Sequence, residues 1–163
     1  MDEIVSARLA TVITASNRAS KGIYADLSGQ ALRTGLINLG YAVDEPIIVA
    51  DEIEAIGQEL VKALDRSARL IVTTGGTGVS PTDITPEATA PFIEKLIPGF
   101  SEALRAYSRE KIPTSDLTRG LVGTHGETLI INLPGSIGAI KDGLIIIERL
   151  AGHILDQLDG LDH

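Results

Sequence analysis

The chain has 163 residues and a formal net charge of −8, with 44% apolar residues, no cysteine and no tryptophan. Length and apolar content fit one domain around one sizeable aliphatic core. Disulfides, thiol nucleophiles and cysteine-zinc sites are excluded, and the acidic balance opposes sequence-independent nucleic-acid binding, which relies on a positive surface.

No run approaches the roughly 18 apolar residues of a membrane span, and Asp2 and Glu3 stand where a leader would carry basic residues. Cytoplasmic residence with no membrane partner is the expectation. In chain order, residues 8–16 (RLATVITAS) read as a buried strand, β-branched and aliphatic. A polar loop, NRASKGIYADLSG, fills 17–29. A helix follows with Leu32, Leu36 and Leu39 on one face and Gly40 just past its end. Residues 41–50 read as a second strand in which Pro46 marks an edge or a break.

A helix is predicted over 51–67, with Ile53, Ile56, Leu60 and Leu64 at helical spacing, then a strand over 68–74. Thr85 as N-cap and Pro86 at the first helical position predict a helix that Pro98-Gly99 breaks, with another over about 100–111. Residues 121–133 read as a hairpin around His125-Gly126. After Pro134-Gly135-Ser136 comes a closing helix striped by Ile140, Leu144, Ile147, Ile154 and Leu158. Its run Leu144-Ile145-Ile146-Ile147 is apolar all round, which predicts deep burial or a shared subunit interface. Strands alternating with helices predict a single α/β domain with a largely parallel sheet.

The chemistry concentrates in residues 73–89, TTGGTGVSPTDITPEAT, at a strand's carboxyl end, where open α/β sheets bind ligands. From Gly76 the spacing gives Gly-x-Gly-x-x-Pro, a poor dinucleotide fingerprint, and the Gly-Lys-Ser/Thr ending of a phosphate loop is missing. Three glycines, Gly75, Gly76 and Gly78, exceed what a bare turn requires. The first charges after them are the acids Asp83 and Glu87. Asp83 reads either as a site residue or as a side-chain turn. Asp51 reads as a site residue or as part of a capping box with Glu54. The three histidines show no metal-ligand spacing.

Four segments in order, LIVTTGGTGVSPTDITPEAT (70–89), PGFSEALR (98–105), NLPGS (132–136) and the loop NRASKGIYADLSG, resemble the motifs of the molybdenum-cofactor biosynthesis family. The first loop resembles that of its molybdopterin adenylyltransferase (MogA-type) branch. The resemblance spans nearly the whole chain. It implies a three-layer α/β/α sandwich, a single domain over 1–163, usually trimeric, that uses magnesium and ATP to adenylylate molybdopterin and releases pyrophosphate.

By the same resemblance Asp51 and Asp83 are the catalytic, metal-holding acids. Gly75, Gly76, Thr77 and Gly78 line the nucleotide phosphates, and Pro134, Gly135 and Ser136 sit by the pterin. Asp26, Ser28 and Gly29 are further candidates beside a reading as an ordinary helix start, as is Arg119 beside a surface ion pair. An oxygen-loving magnesium ion held by carboxylates fits a loop whose amides bind phosphate and which lacks lysine. The sequence departs from the family at Thr82, where arginine is common, at Asn17, where an acid is common, and at Thr118 in the family's Leu-Ser-Arg. These departures leave a non-catalytic molybdopterin-binding protein of the MoaB type as the alternative. A downstream molybdate-inserting enzyme is the implied partner; an assembly module is the third reading.

Overall fold

The computed structural model describes residues 6–161. Its sheet is built on β1 (Leu9–Ala15), β4 (Leu70–Thr74) and β7 (Thr128–Leu133), which are parallel neighbours. Every residue of β4 and β7 is buried, as expected where helices cover both faces of a parallel sheet. Two short strands, β2 (Ala42–Val43) and β3 (Ile47–Val49), run parallel to the outer side of β1. The second predicted strand is thus broken around Pro46, which has no N–H to give a ladder. At the other side β6 (Val122–His125) forms the expected hairpin with β7, and β5 (Lys95–Leu96) pairs antiparallel with β6. The order is β2-β1-β4-β7-β6-β5, with β3 also beside β1.

Alternation along the strands divides the core. Val12, Leu70, Val72, Leu129 and Ile131 face one side, covered by α2 (Leu27–Asn38), α5 (Pro98–Arg109) and α6 (Ile137–Leu158). Ile13, Ile71 and Ile130 face the other, covered by α3 (Ile53–Asp65) and α4 (Thr85–Thr89). The result is the three-layer sandwich. A further short helix, α1 (Asn17–Ser20), follows β1 directly. Among the described residues no helix is long and apolar enough to cross a membrane.

Two expectations are corrected. The helix predicted from Thr85 to Pro98 lasts five residues. It passes into a 3-10 turn over Ala90–Phe92 and then β5, because Pro91 lacks an N–H and its ring obstructs the preceding turn. Pro98-Gly99 opens α5 rather than breaking a helix, with proline at its favoured first position. The apolar run Leu144–Ile147 has no exposed member, because α6 lies against α2, α5 and β7. Burial within one subunit therefore accounts for it.

Candidate active site

In register, Thr14 lies beside Thr74 and Thr74 beside Leu133, while Ala15 pairs with Val49. The loops after β1, β3, β4 and β7 consequently open along one carboxyl edge. The chain leaves β1 toward β3 on one side and β4 toward β7 on the other, so the edge is a topological switch point, the usual ligand crevice of such sheets.

The glycine loop begins there with two left-handed residues, Gly75 at φ +95° and Gly76 at φ +68°. A Cβ on Gly75 would meet the Ala15 carbonyl oxygen at 2.4 Å, and one on Gly76 would meet Thr85 Oγ1 at 2.3 Å. Neither position accepts a side chain, so the loop presents bare backbone to the crevice. The Pro134-Gly135-Ser136 turn lies against it; a Cβ on Gly135 would sit 3.2 Å from the Gly75 α-carbon. Thr74 Oγ1 donates to the Pro134 carbonyl at 3.2 Å, and Ser28 Oγ donates to that of Gly135.

Behind the loop, Arg119 acts as a clamp. Its Nε donates to the Gly78 carbonyl at 2.8 Å, Nη2 to the Asp83 carbonyl at 2.9 Å, and Nη1 to Glu87 at 2.9 Å. Its own N–H bonds the Thr77 carbonyl, and Thr118 Oγ1 donates to Thr77 Oγ1 at 2.9 Å. The guanidinium is thus committed to carbonyls and a carboxylate, closer to the ion-pair reading than to a phosphate ligand. Thr118, one of the departures, serves the same clamp.

The two acids flank the loop. Asp51 is no helix cap: Glu52 occupies the N-cap of α3 and makes no side-chain cap bond. Instead Asp51 Oδ2 accepts from the Asn17 N–H at 3.0 Å, and its Oδ1 faces Gly76, 3.3 Å from where a Cβ would be. Asp83 Oδ2 accepts from the Ser80 N–H at 3.0 Å, a local turn that also aims the carboxylate at Gly78. Burial pushes the Asp51 carboxyl above its ordinary value; the Asn17 N–H works against this and the charge of Asp83 adds to it.

Two carboxylates beside glycine amides form a donor set that suits magnesium. That ion commonly takes one or two carboxylates and keeps phosphate oxygens and water. Among the described residues no group of three or more His, Asp or Glu side chains is placed to hold a metal ion.

Asp26 caps α2: Oδ1 accepts from the Gly29 N–H at 2.9 Å and Oδ2 from Thr14 Oγ1 at 2.8 Å. This is the helix-start geometry, and it fixes Ser28 against Gly135. Ser136 caps α6, accepting from the Ala139 N–H at 3.1 Å. The Pro-Gly-Ser turn divides the crevice into two lobes that share Gly135 and Ser136. One, of about 490 Å³, lies by Thr14, Ser16, Tyr24, Ser28 and Gly75. The other, of about 340 Å³, is bounded by Gly76, Asp83, Leu104, Ile112, Leu117 and Asp142.

Asp142 escapes the sequence reading. It is 8% exposed, accepts from Ser108 Oγ at 2.7 Å and from Lys111 Nζ at 2.9 Å, and borders the second lobe. A charged residue on the buried face of α6, one position before Gly143, is the signal that marks it. The partnership of Asn17 with Asp51 had no such signal, because it joins loops 34 positions apart.

Residues 11–151 match the family described as a probable molybdopterin binding domain. A molybdopterin adenylyltransferase of Helicobacter pylori is 45% identical over 155 residues, covering 91% of this chain and 86% of that protein. The molybdopterin biosynthesis Mog protein of Mycobacterium ulcerans superposes with a TM-score of 0.88 at 43% identity, covering 93% of this chain and 99% of the other. A molybdopterin biosynthesis enzyme, MoaB, of Thermus thermophilus gives 0.87 at 34% identity, over 94% and 97%. The chain belongs to the molybdopterin-binding domain family of molybdenum-cofactor biosynthesis.

Proposed function

We propose that this protein is a molybdopterin adenylyltransferase, joining ATP and molybdopterin to give adenylyl-molybdopterin and pyrophosphate. The carrying observation is the placement of Asp51 and Asp83 on either side of a bare-backbone glycine loop, beside a two-lobed crevice. The terminal phosphate oxygen of the pterin attacks the α-phosphorus of ATP; the bond to the bridging oxygen breaks and pyrophosphate leaves. Two polyanions must be held in line, so catalysis is positioning and charge neutralisation.

Amides of Gly76, Thr77 and Gly78 hold phosphate oxygens, whereas the Gly75 N–H, contrary to the sequence expectation, already donates to the Leu133 carbonyl at 3.0 Å; Arg119 keeps that loop in shape from behind. Asp51 and Asp83 would hold magnesium, which supplies neutralisation of the phosphate charge when bound. The lobe with Asp142 suits the pterin, whose amino group and ring N–H form a donor edge that a carboxylate accepts. The lobe by Thr14, Tyr24 and Ser28 then takes the adenosine, with Asp26 and Gly29 setting its wall. Pro134, Gly135 and Ser136 stand where the two substrates meet. The enzyme works in the cytoplasm as a homotrimer and passes its product to a molybdate-inserting enzyme.

The non-catalytic reading loses support from Asn17, whose departure from the family leaves Asp51 doubly bonded rather than displaced. The test is product formation from molybdopterin, ATP and magnesium, alongside the Asp83→Asn variant. Adenylyl-molybdopterin from the native protein alone supports the assignment. Tight pterin binding with no product from folded protein overturns it in favour of a carrier.

A further inference from the structure

Beneath the glycine loop runs a buried polar network. Asn132 donates through Nδ2 to Thr73 Oγ1 at 2.9 Å and Thr89 Oγ1 at 3.0 Å, and accepts from the Leu121 N–H at 3.0 Å. Thr89 Oγ1 in turn donates to the Thr85 carbonyl at 2.8 Å, and the Thr85 N–H donates to the Gly76 carbonyl at 3.1 Å. Both backbone groups of Thr85 are therefore committed. Its hydroxyl is not: Thr85 is 0% exposed, and its Oγ1 is the one buried side-chain polar atom without a partner among the described residues.

Thr85 is also no helix cap. Ile84 takes that position and the Thr85 side chain turns inward, contrary to the sequence expectation. A buried hydroxyl without a partner is unfavourable, and valine would fill the same β-branched shape without that loss. The unpaired group requires a reason. It lies against Gly76, on the side where Asp51 Oδ1 also approaches; both oxygens face the place a Gly76 side chain would fill. Asp51 is hinged there by its Oδ2 bond to the Asn17 N–H, which leaves Oδ1 as the oxygen whose direction is not fixed.

We propose that Thr85 is a positioning residue for Asp51, its hydroxyl donating to Asp51 Oδ1 when nucleotide and divalent cation fill the site. The inference rests on the adenylyltransferase reading for its role in turnover. A small turn of the carboxylate about its Oδ2 contact makes the bond, and the resting mispairing is then relieved only in the loaded state. A hydroxyl bond that strengthens on loading contributes to kcat rather than to resting stability.

Thr85→Val and Thr85→Ser test this in the full-length protein, with manganese as the probe. Binding is read by its electron-spin resonance in the presence of ATP, turnover by adenylyl-molybdopterin formation, and stability by melting. Thr85→Val is expected to melt at or above the native temperature while losing about tenfold in kcat and about tenfold in manganese affinity, with KM for molybdopterin within about twofold. Thr85→Ser is expected to restore both losses. A Thr85→Val protein within about twofold of native in kcat and manganese affinity overturns the proposal. So does a Thr85→Ser protein as impaired as the valine variant, because the methyl group would then be what matters. If native protein forms no product, the adenylyltransferase reading fails and the manganese titration alone decides the role of Thr85; no manganese binding by native protein overturns it too.

Discussion

Asn17 and Asp51 bond each other twice across the carboxyl edge of the sheet: the Asp51 N–H donates to Asn17 Oδ1 at 2.9 Å, and the Asn17 N–H donates to Asp51 Oδ2 at 3.0 Å. The pair ties the loop after β1 to the loop after β3 and anchors the Asp51 carboxylate through Oδ2. Truncation to Asn17→Ala removes one of the two bonds and frees the other loop to drift. We expect a loss of about 1 kcal/mol in stability and about tenfold in turnover. Asn17→Asp keeps an acceptor for the Asp51 N–H and is expected to retain more activity than alanine. Melting curves and the adenylyl-transfer assay check both.

Asp83→Asn separates charge from shape. The amide oxygen still accepts from the Ser80 N–H, and the Asp83 carbonyl still accepts from Arg119, so the turn survives. Stability is expected to stay within about 0.5 kcal/mol of native. The charge facing Asp51 is gone, and adenylyl transfer is expected to fall by at least about a hundredfold. Normal turnover in a folded Asp83→Asn protein would remove Asp83 from the catalytic pair.

The glycine loop was legible because Gly75 and Gly76 are demanded by backbone geometry that any sequence at this turn would have to satisfy. The parallel core was legible from strands alternating with helices and from the aliphatic stretches Leu70-Ile71-Val72 and Leu129-Ile130-Ile131 that β4 and β7 bury between the helical layers. The end of α4 is not encoded in its start signal: Pro91, a few residues on, stops the helix that Thr85-Pro86 opens. Asp51 as a cap and Thr85 as a cap were both plausible from spacing, yet in each case a contact distant in sequence won. Asn17 captures Asp51, and the Gly76 carbonyl captures the Thr85 backbone. Such choices depend on which loops the strand register brings together, which short-range patterns do not encode.

Arg119 gives a prediction that distinguishes a clamp from a phosphate ligand. Its fork reaches three acceptors on different residues, Gly78, Asp83 and Glu87. Lysine keeps the charge but lacks the planar fork. Arg119→Lys is therefore expected to lose about 1–2 kcal/mol of stability and to expose the loop to limited proteolysis between 77 and 83. Full stability and a protected loop, with only the KM for ATP raised, would instead assign Arg119 to the phosphates.

At the edge of the sheet opposite the crevice, Asp159 past the end of α6 accepts from Arg69 Nη2 at 2.7 Å and Arg8 Nη2 at 3.0 Å, joining the last helix to the starts of β4 and β1. The bond from Arg69, and then that from Arg8, holds the Asp159 carboxyl below its ordinary value of 3.8. A folded-state value below the unfolded one stabilises the protein above about pH 4, and that contribution disappears as pH falls through the lowered value. Asp159→Asn is accordingly expected to be less stable than native at pH 7, with the difference shrinking below pH 4. Because the group is exposed, 0.5 M salt is expected to shrink the neutral-pH difference as well. Turnover at pH 7 is expected to stay within about twofold of native, since the triad stands at the far end of the strands from Asp51 and Asp83. Melting temperatures of the two proteins from pH 3 to 8 check the sign, and a gap that widens toward acid would refute this account of how α6 is tied down.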